Sequence, residues 1–272
     1  MSKKYVRVLT IAGSDSGGGA GIQADLKTFS ALGCYGMSVI TALTAQNTIA
    51  VTAIYEVSAD FVGSQIEAIM TDIGIDAVKI GMLQTPEIIE TVADKLKKFN
   101  VTRIILDPVM IAKSGDKLLR DDAIDALKTK LVPLAEMITP NLPEASVLTG
   151  EHISGIEDMT KIAVQLLEYG SASVLLKGGH LSGRHGADCL VYKDGGSLKT
   201  IKIKFTRIDT MNTHGTGCTL SSAIAAFRAR NYSIPDSVRA AHQYLKGAIN
   251  AGKEYSLGEG HGPVKHFFEL WD

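Results

Sequence analysis

Cysteine is scarce in this chain. Of 272 residues only Cys34, Cys189 and Cys218 carry a thiol, too few and too scattered for a disulfide framework or a Cys-x-x-Cys metal site, so reduced thiols are expected. An excess of charge of one sign is also missing. The 28 Lys and Arg against 29 Asp and Glu leave a formal charge of -1, which excludes the overall basic field that holds a nucleic-acid backbone or an anionic membrane surface. A small-molecule partner is the expectation instead. No stretch approaches the roughly 18 apolar residues of a membrane helix. The opening apolar run, residues 6–12, is ended at once by glycines and is too short and wrongly bounded for a signal peptide, so the expected compartment is the cytoplasm. No Pro-rich or Ser-rich linker and no repeat of 20–50 residues divides the chain, and one domain over 1–272 is expected.

What is present is an α/β pattern. Hydrophobic residues at 45% and charged residues at 21% suit a folded enzyme-sized body and not a disordered one. Short β-branched runs recur at 6–12, 39–43, 77–80, 103–106, 137–139 and 173–176. Between several of them lie amphipathic stretches with helical spacing, such as Ile66, Ile69, Met70 and Ile73, or Ile88, Val92 and Leu96. Alternation of this kind predicts βαβ crossovers and a mainly parallel sheet covered by helices on both faces. The register changes near residues 188–192, where Asp194-Gly195-Gly196 leads into the alternating Leu198, Ile201, Ile203 and Phe205. That reads as an antiparallel hairpin at a sheet edge. Two helices, over 219–230 and 235–251, close the chain.

Three sets of residues carry chemical signals. The first is Gly13-Ser14-Asp15-Ser16-Gly17-Gly18-Gly19-Ala20-Gly21, between the first strand and a helix. It is either an ordinary glycine-rich turn or a place where backbone and helix-end amides approach a ligand beyond a strand end. Ser14 to Gly18 echoes a protease nucleophile loop, but that fold is all-β. Gly19 to Ala24 matches G-x-G-x-x-A, yet the next strand ends in Thr44-Ala45-Gln46-Asn47 without the acidic ribose ligand. No G-x-x-x-x-G-K-[ST] occurs, which excludes a P-loop.

The second set, Asn212-Thr213-His214-Gly215-Thr216-Gly217-Cys218-Thr219, opens an apolar helix. Glycine-flanked amides at a helix start form an anion nest, the form of catalysis that a phosphoryl group in transfer most needs. Cys218 sits in that positive end and is the best thiolate candidate of the three cysteines. The third set punctuates later strand ends: Asp107-Pro108-Val109-Met110, Thr139-Pro140-Asn141-Leu142-Pro143-Glu144 and Lys177-Gly178-Gly179-His180. Strand-end carboxylates and amides suit magnesium, and a lysine there can neutralise phosphate. Equally, Asn141 and Glu144 can simply cap the next helix, and Lys177 can be solvated.

Taken in order, these motifs resemble the ribokinase-type fold and, within it, the hydroxymethylpyrimidine and phosphomethylpyrimidine kinases of thiamine biosynthesis. The resemblance is carried nearly end to end by the motifs above together with 21–28, 41–48, Lys79-Ile80-Gly81-Met82-Leu83 and Gly262-Pro263-Val264. It implies two ATP-dependent phosphorylations, of 4-amino-5-hydroxymethyl-2-methylpyrimidine and then of its monophosphate, with ATP and Mg2+ as cofactors and a homodimer as the working unit. By the same resemblance Gly13, Ala20, Asp25, Gln46, Met82 and Val109 would lie around the pyrimidine. Asp107 and Lys177 would serve the ATP phosphates, Asn141 and Glu144 the metal, and Gly215, Thr216, Gly217 and Cys218 would form the anion hole and base. Most sugar kinases of this fold carry aspartate where Cys218 stands; the cysteine is shared with a group of pyridoxal kinases, the nearest alternative. A thiol acyltransferase and a non-catalytic sensor are the more distant ones.

Overall fold

The computed structural model describes residues 3–110, 118–153, 155–179 and 183–270. Nine strands among them form one sheet: β1 (Arg7–Asp15), β2 (Tyr35–Gln46), β3 (Val51–Glu56), β4 (Ala77–Ile80), β5 (Ile104–Leu106), β6 (Met137–Ile138), β7 (Ser173–Leu176), β8 (His185–Asp194) and β9 (Ser197–Thr206). Their order across the sheet is β3-β2-β1-β4-β5-β6-β7-β8-β9. The six strands from β2 to β7 in that order pair in parallel. Antiparallel strands flank them, β3 at one edge and β8 with β9 at the other.

Period-two alternation explains how the parallel strands bury both faces. Leu9, Ile11, Val78, Ile80, Ile104 and Leu106 point to one side, where they meet α2 (Ala59–Asp72), α3 (Pro86–Lys98), α5 (Leu142–Thr149) and α6 (Asp158–Leu167). Val8, Ala77, Ile105, Met137 and Leu175 point to the other, toward α1 (Gly21–Ala31), α7 (Thr216–Ala229) and α8 (Ile234–Gly252). A short α4 (Asp121–Ala126) runs into a π-helical turn, Leu127–Leu131, on the first side. Such strands read as continuous apolar runs because no face is left for water.

The expected edge hairpin exists. Gly195 and Gly196, with φ of 54° and 84°, make the two-residue turn that matches the twist of β8 and β9. The second antiparallel edge, β3, was not among the strands expected from sequence. Its residues are half-buried or exposed throughout, so an edge position leaves no core-facing stripe to mark it. The penultimate helix also begins earlier than expected, at Thr216, which puts Gly217 and Cys218 within its first turn.

α7 is the organising element of the second layer. From Thr219 to Ala226 every residue is buried, and its Ser and Ala side chains let it lie close against β1, β4 and β5 with α1 and α8 alongside. Its N-terminus therefore lies at the rim where the parallel strands end, as ligand sites in open α/β sheets do.

Candidate active site

Several of the parallel strands deliver a polar group to this rim. Asp107 follows β5 directly; it is 2% exposed, and its Oδ1 accepts from Lys177 Nζ at 2.8 Å and from Thr139 Oγ1 at 3.1 Å. Ser221 Oγ, one turn into α7, donates to Asp107 Oδ2 at 3.2 Å. Burial pushes the Asp107 carboxyl up, but the charges of Lys177 and Lys79 with the Thr139 hydroxyl outweigh it and hold the group below the usual carboxylate range. Lys177 is the mirror case. Burial works against its charge, and Asp107 and Glu144 more than restore it, so the ammonium binds its proton more tightly than a free lysine.

The start of α7 faces this pair. Gly215 takes the left-handed conformation, φ 78°, and a side chain there would collide with the carbonyl of Gly19, so only glycine lets the two glycine loops dock. Thr219 N is bonded back to Gly215 O at 2.8 Å; the amides before it belong to the first turn, whose N–H groups have no intrahelical acceptor. A β-carbon on Gly217 would lie 3.5 Å from Lys177 Nζ and 3.8 Å from Asp107 Oδ2. Backbone donors, a lysine and a carboxylate thus share one small space.

Cys218 adjoins it, partly exposed. Its thiol departs from the expected thiolate character: burial, with the Asp25 and Asp107 carboxylates adding, pushes it up to about 11, against the opposing pull of Lys79 and the Gly21 amide. Desolvation disfavours the charged sulfur more than the helix end favours it.

Asn141 and Glu144 take the capping arrangement. Asn141 Oδ1 accepts from Glu144 N at 2.8 Å and Glu144 Oε2 accepts from Asn141 N at 2.8 Å, a reciprocal capping box at the start of α5. Glu144 is 6% exposed, and burial pushes its carboxyl up to about 7, with Asp107 adding and Lys177 opposing. Among the described residues no group of three or more His, Cys, Asp or Glu stands ready to hold a metal. The oxygens of Asp107, Asn141 and Glu144 around Lys177 nevertheless suit a hard cation held through its own water.

The first glycine loop is closed on itself. Its amides serve an internal anion: Gly17 N donates to Asp15 Oδ1 at 2.8 Å, and Gly19 N and Ala20 N donate to Asp15 Oδ2 at 3.1 and 2.8 Å. His214 Nε2 lies 2.9 Å from the same Oδ2. Gly13 and Met82 adjoin, since a β-carbon on Gly13 would come 3.0 Å from Met82 Sδ. Gln46 at the end of β2 is half-buried beside His214, and Val109 sits in the turn after Asp107. His180, the last residue of the Lys177 motif, lies outside the described residues.

A family model described as phosphomethylpyrimidine kinase matches residues 15–265. The chain belongs to this family. It is 52% identical to hydroxymethylpyrimidine/phosphomethylpyrimidine kinase of Rhizobium meliloti over 264 residues, covering 97% of each chain. The crystal structure of phosphomethylpyrimidine kinase from Clostridium difficile 630 is similar at TM-score 0.78 and 48% identity, covering 90% of this chain and 99% of that one. Pyridoxal kinase from Staphylococcus aureus, solved with AMP-PCP and pyridoxal, superposes at TM-score 0.87 with 33% identity, covering 98% of this chain and 96% of that one.

Within this phosphomethylpyrimidine kinase chain, Asp25 stands apart from the expectation that it lines the pyrimidine. Its side chain is 0% exposed, and its carboxylate is occupied by Thr10 Oγ1 and Ser222 Oγ, each at 2.6 Å, and by Lys79 Nζ at 2.9 Å to both oxygens. Lys79, equally buried, received no role from sequence reasoning. The signal was available: one lysine inside the otherwise apolar four-residue β4 requires a buried carboxylate partner. The pairings of Asp15 with His214, 199 residues apart, and of Thr219 with His266 left no such trace.

Proposed function

We propose that the chain transfers the γ-phosphoryl group of ATP to the hydroxymethyl group of 4-amino-5-hydroxymethyl-2-methylpyrimidine, and then phosphorylates the resulting monophosphate, as a step of thiamine biosynthesis. The observation that carries this reading is the start of α7, where the Gly217 backbone lies within reach of both Lys177 and Asp107. Charge spreading over the oxygens of a phosphoryl group in flight is met there by fixed donors, which need no rearrangement during transfer. On this reading Lys177 neutralises a phosphate oxygen, and Asp107, Asn141 and Glu144 are the residues that would hold Mg2+. Bound Mg2+ supplies further neutralisation of the transferring phosphate. Gly13, Gln46, Met82 and Val109 surround the pyrimidine, and Asp25 acts from beneath them, fixing Lys79 near Cys218.

On this reading Cys218, through its thiolate, receives the substrate's hydroxyl proton. Because its thiol is pushed up to about 11, little thiolate exists near neutrality, so positioning and charge neutralisation carry most of the rate and proton transfer adds at most about 10²–10⁴-fold. ADP release over a panel of pyrimidine alcohols, pyridoxal and sugars tests the assignment: the 4-amino pyrimidine alcohol should give the highest kcat/KM. The likeness to pyridoxal kinases makes pyridoxal the comparison that decides, and a higher kcat/KM on it would overturn the substrate assignment. Cys218→Ala should slow the first phosphorylation more than the second, whose acceptor is already an ionised phosphate. An equal loss in both steps assigns the residue to packing or to the anion site. The cytoplasmic location and the homodimer belong to the same reading, the latter checked by sedimentation; no described helix is long and apolar enough to cross a membrane.

A further inference from the structure

His214 lies between the two halves of the site. It precedes the anion loop by one residue, its amide is tied to Gly262 O at 3.0 Å, and its ring packs so closely on Gly19 that a side chain there would overlap it. Beside the ring lies Gln46, whose Nε2 is 3.5 Å from His214 Nε2 and whose Oε1 is 3.0 Å from Thr44 Oγ1. The two ends of a carboxamide are nearly isosteric, so its hydrogen-bond partners decide which end is nitrogen and which is oxygen.

Proton accounting gives one answer. Asp15 Oδ2 already accepts two backbone amides. Burial pushes that carboxyl up, and His214 with the Ala20 and Gly17 amides prevails to hold it below the usual range. It is an ionised acceptor, so His214 Nε2, 2.9 Å away, carries a hydrogen. With that hydrogen on it, Nε2 has no lone pair to accept from the amide NH2, whereas an amide oxygen beside the N–H is attracted to it. On the opposite side Thr44 Oγ1 lies 2.9 Å from Ser14 O. With the amide oxygen turned toward it, the single Thr44 hydroxyl proton would face two acceptors; with the amide nitrogen turned toward it, the proton serves Ser14 O and Thr44 offers Gln46 a lone pair. Both neighbours ask for the same orientation: amide oxygen toward His214, amide nitrogen toward Thr44.

We infer that His214 and Thr44 are positioning residues that lock the Gln46 carboxamide in one orientation and thereby make the site select a 4-amino over a 4-oxo pyrimidine. The inference rests on the proposed function. An aminopyrimidine edge offers a ring-nitrogen acceptor beside an NH2 donor, and a carboxamide offers the complementary N–H and C=O side by side, as it does to adenine in nucleic-acid recognition. The 4-oxo analogue presents the reverse order, an acceptor beside a ring N–H. An amide free to turn by 180° serves either edge, whereas a locked one serves a single edge.

The test is the ratio of kcat/KM for the 4-amino and 4-oxo 5-hydroxymethyl-2-methylpyrimidines, by ADP release. The wild-type chain should favour the amino compound by roughly 10- to 100-fold, the usual worth of a bidentate pair. His214→Leu and Thr44→Val should each bring the ratio within about threefold of unity, mainly by raising KM for the amino compound and lowering it for the oxo compound. His214→Gln, which keeps an N–H toward Asp15, should hold most of the preference. A structural defect alone would lower both rates together and leave the ratio unmoved, and that outcome in Thr44→Val, the smaller change, overturns the inference. A wild-type ratio near unity overturns it as well. Absence of ADP release with the amino compound in the wild-type chain refutes the proposed function and takes this inference with it.

Discussion

Replacing Lys79 by Met keeps an unbranched side chain, one atom shorter, and removes its charge and hydrogen-bond donors, which tests the worth of the buried pair with Asp25. Both side chains are 0% exposed, so solvent screens neither. In the native chain Asp25 receives two contacts from Lys79 and one each from Thr10 and Ser222. The substitution leaves two hydroxyls to hold a full negative charge under α7. Breaking a buried pair from one side costs about 3–5 kcal/mol, because the remaining charge has no compensation. At about 2–4 °C per kcal/mol for a domain approaching this size, the melting temperature should fall by about 6–20 °C. Scanning calorimetry and urea titration read it directly. The companion variant Lys79→Met with Asp25→Leu, which removes both charges, should recover most of the loss, since an apolar pair of similar volume replaces the ionic one. A loss under about 1 kcal/mol in the single variant, or a double variant less stable than the single one, refutes the reasoning.

Two further outcomes follow from the shifted groups. His266 is 4% exposed and bonded to Thr219 Oγ1 at 3.0 Å; burial, with the Lys27 charge adding, holds its ring down to about 4. An unfolded histidine titrates near 6.5, so the folded chain should keep its stability above about pH 6.5, lose about 3 kcal/mol as pH falls from there to about 4, and lose no more from this group below that. Urea titrations of the wild-type chain and His266→Gln across this range check it; parallel curves would show that the ring does not titrate as described. Cys218 should react with iodoacetamide slowly at neutral pH and about tenfold faster for each unit from pH 8 to 10, because its thiol is pushed up to about 11. Peptide mapping distinguishes it from Cys34 and Cys189, both buried, and a plateau below pH 9 would contradict that value.

Local patterns dictated much of the frame. Apolar runs bounded by glycine and proline mark the parallel strands because burial on both faces favours apolar residues and admits Lys79 only with its carboxylate partner, and Gly195-Gly196 marks the β8–β9 turn because few other residues take that conformation. The rim motifs at Asp107, Asn141, Lys177 and Gly215 are legible for the same reason: each follows a strand or opens a helix, positions defined within a few residues of sequence. Edge strand β3 was not legible, since neither face of it is fully buried. The states of the site residues were not legible either. Whether Cys218 is a thiol or a thiolate, whether the 17–20 amides serve Asp15 or a ligand, and whether Asp25 meets the substrate or Lys79 all depend on groups distant in the chain. Residue order thus determined which groups reach the rim, through periodicity and turn chemistry that act over short separations. Only the tertiary structure decided their charge and partners, because desolvation and Coulomb interaction depend on neighbours in space, and α7 gathers those from β1, β4, β5 and α1.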